Sequence, residues 1–144
     1  KTEQLPEALA NLALDQFTKD LANFNERREA LVERYSAWLK AHPAAGIEQA
    51  VHPSSQPVHL RYALLTAAST EALTDAKQSG IVLGDWYSHV IVPKPVDEDV
   101  LAYKQGSCPK AESAAKRSIN LPTHPRLSAR QQRKILSWLN RHFV

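Results

Sequence analysis

The stretch from Gly80 to Ser128 decides how this chain is read: GIVLGDWY (residues 80–87), then GSCPKAESAAKRS (106–118), then INLPTHPRLS (119–128). A glycine ends a helix and opens into a short apolar run whose exit carries Trp86, Tyr87, Ser88 and His89. Ser107 or Cys108 starts a further helix with Pro109 in its first turn, where a missing N–H costs nothing. Ser118 to Leu121 reads as a short strand, and Ser128 with Gln131 has the spacing of a capping box that opens the last helix. Ile135, Trp138, Leu139 and His142 fall on the packed side of that helix.

Working outward toward the amino end, Val58 to Thr66 alternates as a strand with mixed burial. A helix follows, capped by Ser69 or Thr70, with Leu73 and Ala76 inward and Gly80 as its stop. Ile81 to Tyr87 is the next predicted strand. Residues 44–57, with Pro53 and Pro57, have no clear period and read as connector. Before them, Leu5, Leu9, Leu12, Leu21, Phe24, Leu31, Tyr35 and Leu39 fall mostly at three- and four-residue steps, the stripe of an amphipathic helix. Pro6 suits its first turn. Thr18 could cap a second segment, so the spacing predicts two helices or one bent helix, ending before His42-Pro43. A Pro-rich loop with Pro93, Pro95 and Asp97-Glu98-Asp99 separates the second strand from the third helix.

The expected architecture is an α+β fold, a two-layer α/β sandwich around a small three-stranded sheet, preceded by a long helical segment. Residues 1–42 form that segment and residues 58–144 the α/β unit. At 144 residues the chain suits one domain and can bury roughly 68–70% of its unfolded surface. A hydrophobic fraction of 43% and a charged fraction of 23% are ordinary for a globular protein. The single cysteine, Cys108, excludes an internal disulfide and fits a reducing, cytoplasmic setting. No apolar run reaches membrane-span length. The absence of methionine is read as processing, or as a piece cut from a longer chain.

Six histidines show neither the HxxxH nor the CxxC spacing of metal ligands, so no metal site is expected. Four glycines form no phosphate loop, and no GxSxG elbow supports a serine nucleophile. Cys108 reads as a small packed residue. The net charge of +3 is uneven: from Leu101 onward the only acid is Glu112, against Lys104, Lys110, Lys116, Arg117, Arg126, Arg130, Arg133, Lys134 and Arg141. Such a tail could attract nucleic acid, and a stand-alone binding module using it is the rival reading. No nucleic-acid motif accompanies the charge, which favours a solvated helix face. The better cluster is Trp86, Tyr87, Ser88 and His89, with Asp85 before it, at a strand end feeding a loop. Its rings can stack on a sugar or base and its polar groups can bond hydroxyls. Acid–base chemistry by His89 and Asp85 is a weaker idea, lacking paired carboxylates or an activated nucleophile.

In order, these pieces resemble the C-terminal domain of the DegT/DnrJ/StrS family of pyridoxal-phosphate sugar aminotransferases. Asn25-Glu26-Arg27-Arg28 followed by Tyr35 is similar to the family's long helix. HLRYALLT (59–66) and the helix to Gly80-Ile81 are similar to its first small-domain unit. CPKAESAAKRSINLPTHPRLS (108–128) is similar to its Cys-Pro start, Ala-Glu pair and Leu-Pro-x-His-Pro exit. The resemblance implies a mainly antiparallel sheet, the small domain of a fold type I transferase. It implies an intact enzyme that moves an amino group, typically from glutamate, to a keto group of a nucleotide-linked sugar. It further implies a homodimer, and an N-terminal large domain holding pyridoxal phosphate on a lysine in a Ser-x-His-x-x-Lys type motif. No such motif occurs here, so no catalytic residue, no bound cofactor and no activity are expected of this fragment alone. Trp86, Tyr87, Ser88 and His89 would be substrate-wall residues. Many relatives carry Gly-Ile-x-Thr-Gly-x-His-Tyr after the helix; GDWY puts Trp86 at the histidine position, marks a subgroup, and leaves the sugar open.

Overall fold

The computed structural model describes residues 6–50, 58–91 and 103–144. Helix α1 (Glu7–Ala41) is followed by a 3-10 turn at Pro43–Ala45 and strand β1 (Ile47–Gln49). Then come β2 (Arg61–Thr66), α2 (Ser69–Gln78), α3 (Pro109–Arg117), β3 (Ser118–Pro122) and α4 (Ala129–Phe143). The sheet order is β1-β2-β3, antiparallel throughout, with Ile47 opposite Thr66 and Tyr62 opposite Leu121. Helices packed with a small antiparallel sheet make this an α+β fold, as the sequence predicts.

Two strand assignments differ from the sequence reading. The predicted connector contains β1, an edge strand of three residues, too short to show a period. The predicted strand over Ile81–Tyr87 shrinks to one bridge, in which Gly84 and Asn120 exchange both backbone bonds at 2.8 and 2.9 Å. Its beginning is still occupied in closing α2. Ile81 N–H donates to Ala76 O and Gly80 N–H to Lys77 O, with Gly80 at φ +63°, the paired bonds of a Schellman stop. Its end turns away: Ser88 N–H donates to Asp85 O and Tyr87 sits at φ +65°, so the ladder cannot continue.

Helix α1 is one continuous helix. Thr18 does not cap a second segment; its hydroxyl donates to Leu14 O at 2.8 Å, four residues back. Pro6 lies just before the first helical residue. Only the C-terminal part of the apolar stripe is packed: Leu31 and Tyr35 are buried, while Leu9, Leu12 and Leu21 are exposed. Trp38, outside the predicted stripe, is held by Nε1–H to Asn140 Oδ1 at 2.6 Å, which couples α1 to α4.

The core joins Leu31, Tyr35, Tyr62, Leu64, Ile119, Leu121, Trp138 and Leu139. Its polar atoms are matched. Tyr35 Oη donates to Pro122 O at 3.0 Å, Ser36 Oγ and Tyr62 Oη share a bond at 2.9 Å, and Trp138 Nε1 donates to Asp75 Oδ2 at 2.6 Å. Burial pushes the Tyr35 phenol well above its ordinary value, and that of Tyr62 up against the opposing effect of its bond to Ser36. Helix α2 starts after Ala68 rather than with a Ser69 or Thr70 cap. The Ser69 hydroxyl instead donates to Lys116 O at 2.6 Å and ties α2 to the end of α3. The capping box of Ser128 and Gln131 forms as predicted, and Ile135, Trp138 and Leu139 are buried behind it. The predicted Pro-rich loop, with Pro93, Pro95 and Asp97–Asp99, lies outside the described residues, as do Pro53 and Pro57.

Candidate functional site

Beyond the Gly84 bridge the chain folds into the Asp85–His89 loop, and Asn120 of β3 fixes where that loop starts. Asn120 is buried, and its Nδ2 donates to Trp86 O at 3.2 Å and to Gly84 O at 3.4 Å. Ser118 Oγ adds a longer bond to Trp86 O at 3.5 Å. Glycine at 84 suits the closeness of the strands, since an added Cβ would lie 3.1 Å from Asn120 Cβ, tighter than an ordinary contact. The loop therefore hangs from β3 by its backbone, and its two aromatic side chains are largely exposed. Trp86 is 54% and Tyr87 68% exposed, an unusual state for two adjacent aromatics. The Arg61 guanidinium sits over the Trp86 ring, 5.0 Å from its centre, a cation–π contact worth about 0.5–1 kcal/mol at an exposed position.

All four predicted residues lie in this one loop, but they line two depressions. Trp86 and Tyr87 line one of about 310 Å³ together with Asp85 and Ser88. Ser88 and His89 line another of about 170 Å³, which Tyr103, Glu112 and Lys116 also line. Ser88 belongs to both, and its Oγ is 3.0 Å from His89 Nδ1. Among the described residues no hydrogen bond joins Asp85 and His89, so the acid–base idea gains no geometry.

Sequence reasoning did not place Glu112 in the site, although the Ala-Glu pair that contains it is part of the quoted signature. Glu112 Oε1 accepts from Tyr103 Oη at 2.8 Å, Gly106 N at 2.7 Å and Cys108 N at 3.2 Å. These bonds, that of Tyr103 first, hold its carboxyl below the usual carboxylate range. The group organises the turn into α3 and gives the smaller depression a fixed anionic wall. Cys108 is exposed rather than packed. Among the described residues no group of His, Cys, Asp and Glu is arranged to hold a metal ion.

The sequence matches the family model of the DegT/DnrJ/EryC1/StrS aminotransferase family over residues 2–140. The chain belongs to this family. Among solved structures it is similar to S. venezuelae DesV in complex with a ketimine intermediate, at 26% identity and TM-score 0.74, over 90% of this chain and 34% of that one. It shares its fold with a DegT DnrJ EryC1 StrS aminotransferase from Brucella abortus at 22% identity and TM-score 0.65, over 83% of this chain and 31% of that one. No curated protein matches it.

This DegT-family chain thus spans about a third of the length of the solved structures it matches. Its described residues do not fit a pyridoxal phosphate site. Every lysine among them is exposed, and a hydrated ammonium is a poor imine-forming nucleophile without a neighbour or desolvation to neutralise it. Among the described residues no helix is long and apolar enough to cross a membrane.

Proposed function

We propose that this chain is the C-terminal small domain of a pyridoxal-phosphate-dependent aminotransferase acting on a nucleotide-linked keto-sugar, with Trp86, Tyr87, Ser88 and His89 in the wall of the sugar site. The observation that carries the reading is the family match over residues 2–140, with a fold that corresponds to one third of DesV. In the intact, cytoplasmic enzyme the cofactor and its lysine would belong to an N-terminal large domain, and the amino group would pass from an amino acid to the keto carbon. The residues described here would recognise rather than react. Trp86 and Tyr87 offer faces for the apolar side of a pyranose or base, and Ser88 and His89 reach hydroxyls. Arg61 restrains the Trp86 ring, and Asn120 restrains its backbone.

One feature of α1 favours packing against that large domain or a second subunit: Leu9, Leu12, Phe17 and Leu21 are exposed along it.

The isolated 144-residue chain is expected to show no transaminase activity and no pyridoxal-type visible absorbance when the cofactor is added. Stoichiometric absorbance together with turnover would refute the fragment reading. In the full-length enzyme, Trp86→Ala should raise KM for the nucleotide-sugar about tenfold, the loss of one stacking contact, with a smaller change in kcat. An unchanged KM removes the loop from the sugar site.

A further inference from the structure

A second cavity, of about 390 Å³, opens where α1 meets the turn between β3 and α4, and it shares no lining residue with the Trp86 loop. Arg27, Leu31 and Arg34 line it from one face of α1, at steps of four and three residues. His124, Leu127 and Gln132 line it from the turn and from α4. The ionisable groups in this wall are two guanidiniums and an imidazole; no carboxylate is among them.

Neither arginine has an acidic partner among the described residues. The ion pairs among the described residues are Lys19–Asp15, Arg117–Glu48 and His142–Asp75. Among the described residues Arg27 spends only Nε, on Asn23 Oδ1 at 3.1 Å, and its two terminal nitrogens have no partner there. Arg34 spends only Nη1, on Gln132 Oε1, while Gln132 Nε2 donates to Leu127 O at 2.9 Å. Gln132 is thereby fixed at both ends and holds Arg34 at the rim. His124 Nδ1 accepts the Arg126 N–H at 3.1 Å, so its ring proton is on Nε2, which can donate. Glu26, Glu29 and Glu33 on the same helix are exposed and do not line the cavity.

Donors and positive charge thus line a concave, partly apolar space with no carboxylate among its lining residues to neutralise them. We propose that this groove binds a phosphate-class oxyanion between Arg27 and Arg34, with His124 Nε2–H as a third donor. Planar guanidinium forks match phosphate oxygens two at a time, and the volume lies within the range of small-molecule sites. The site does not depend on the sugar-wall assignment.

Binding to the 144-residue chain would be followed by amide NMR and calorimetry with inorganic pyrophosphate, with uridine diphosphate, and with chloride at matched ionic strength. The expected result is saturable binding of pyrophosphate, with shifts centred on residues 124–127 and no saturation by chloride. Arg27→Gln and Arg34→Gln should each weaken it at least about tenfold, the loss of one charge-assisted bond, while Arg130→Gln, at an exposed residue outside the groove, leaves it unchanged. Tighter binding of uridine diphosphate assigns the phosphate to a larger ligand; equal affinity assigns it to the free anion. A response that only follows ionic strength, or that survives Arg34→Gln, overturns the proposal. Both arginines are exposed, so the variants should fold, and the chloride comparison on the unsubstituted chain decides independently.

Discussion

Tyr35 ties α1 to the sheet: its ring lies 5.4 Å from that of Tyr62 and its hydroxyl donates to Pro122 O at the end of β3. A phenol whose folded-state value is raised contributes stability that is complete below the ordinary tyrosine value and is lost as pH climbs through and above it. The chain should therefore weaken above about pH 10. Tyr35→Phe should be less stable at neutral pH by about 1–3 kcal/mol, for the orphaned carbonyl, yet fall less steeply in the alkaline arm. Urea titrations across that range check both. Glu112 works at the opposite end. Its lowered carboxyl contributes stability present above the ordinary carboxylate range and lost as pH falls through its own depressed value. Glu112→Gln should flatten the acid arm of a melting-temperature profile; an unchanged slope would show that its bonds to Tyr103, Gly106 and Cys108 do not persist in solution. Gly84→Ala places a methyl 3.1 Å from Asn120 Cβ and should cost about 1–3 kcal/mol by equilibrium unfolding, with the Trp86 loop displaced. The glycine in GDWY was legible as part of a motif. Its reason was not, because the strand that crowds it comes 36 residues later.

At the scale of elements, helices were more legible than strands. The Ser128–Gln131 box, Pro109 at the start of α3 and Gly80 after α2 are local devices whose chemistry lies within a few residues. Ser128→Ala should lower stability by about 1 kcal/mol in chemical unfolding, with the loss confined to the first turn of α4 by hydrogen exchange. Strands depend on partners elsewhere. Ile47–Gln49 carries no periodicity and becomes β1 because β2 lies beside it. Ile81–Tyr87 has strand composition and fails as a strand because the Schellman stop takes one end and the Asp85–Ser88 turn takes the other. The stripe on α1 was read correctly as helix, but a stripe does not say how much of it finds a neighbour.

Among the described residues the core gathers around the C-terminal part of α1, and the other end of that helix is exposed. Leu12 is 66% and Phe17 62% exposed. The isolated chain is expected to self-associate through these exposed side chains. Leu12→Glu with Phe17→Glu should convert concentration-dependent association to a monomer in sedimentation velocity without lowering the melting temperature, since neither side chain is packed; a large drop in melting temperature would mean that the face is covered. The sequence by itself determined the helices, the stops between them, the family, and the loop in which Trp86, Tyr87, Ser88 and His89 stand together, because each of these is written in contiguous residues. Only the tertiary structure decided which strands pair, why position 84 is tight for a side chain, that Glu112 and His89 line one depression, and that Arg27, Arg34 and His124 share a groove. Those relations join residues tens of positions apart, and their distances are fixed by packing around Tyr35, Tyr62 and Trp138 rather than by any local preference of the chain.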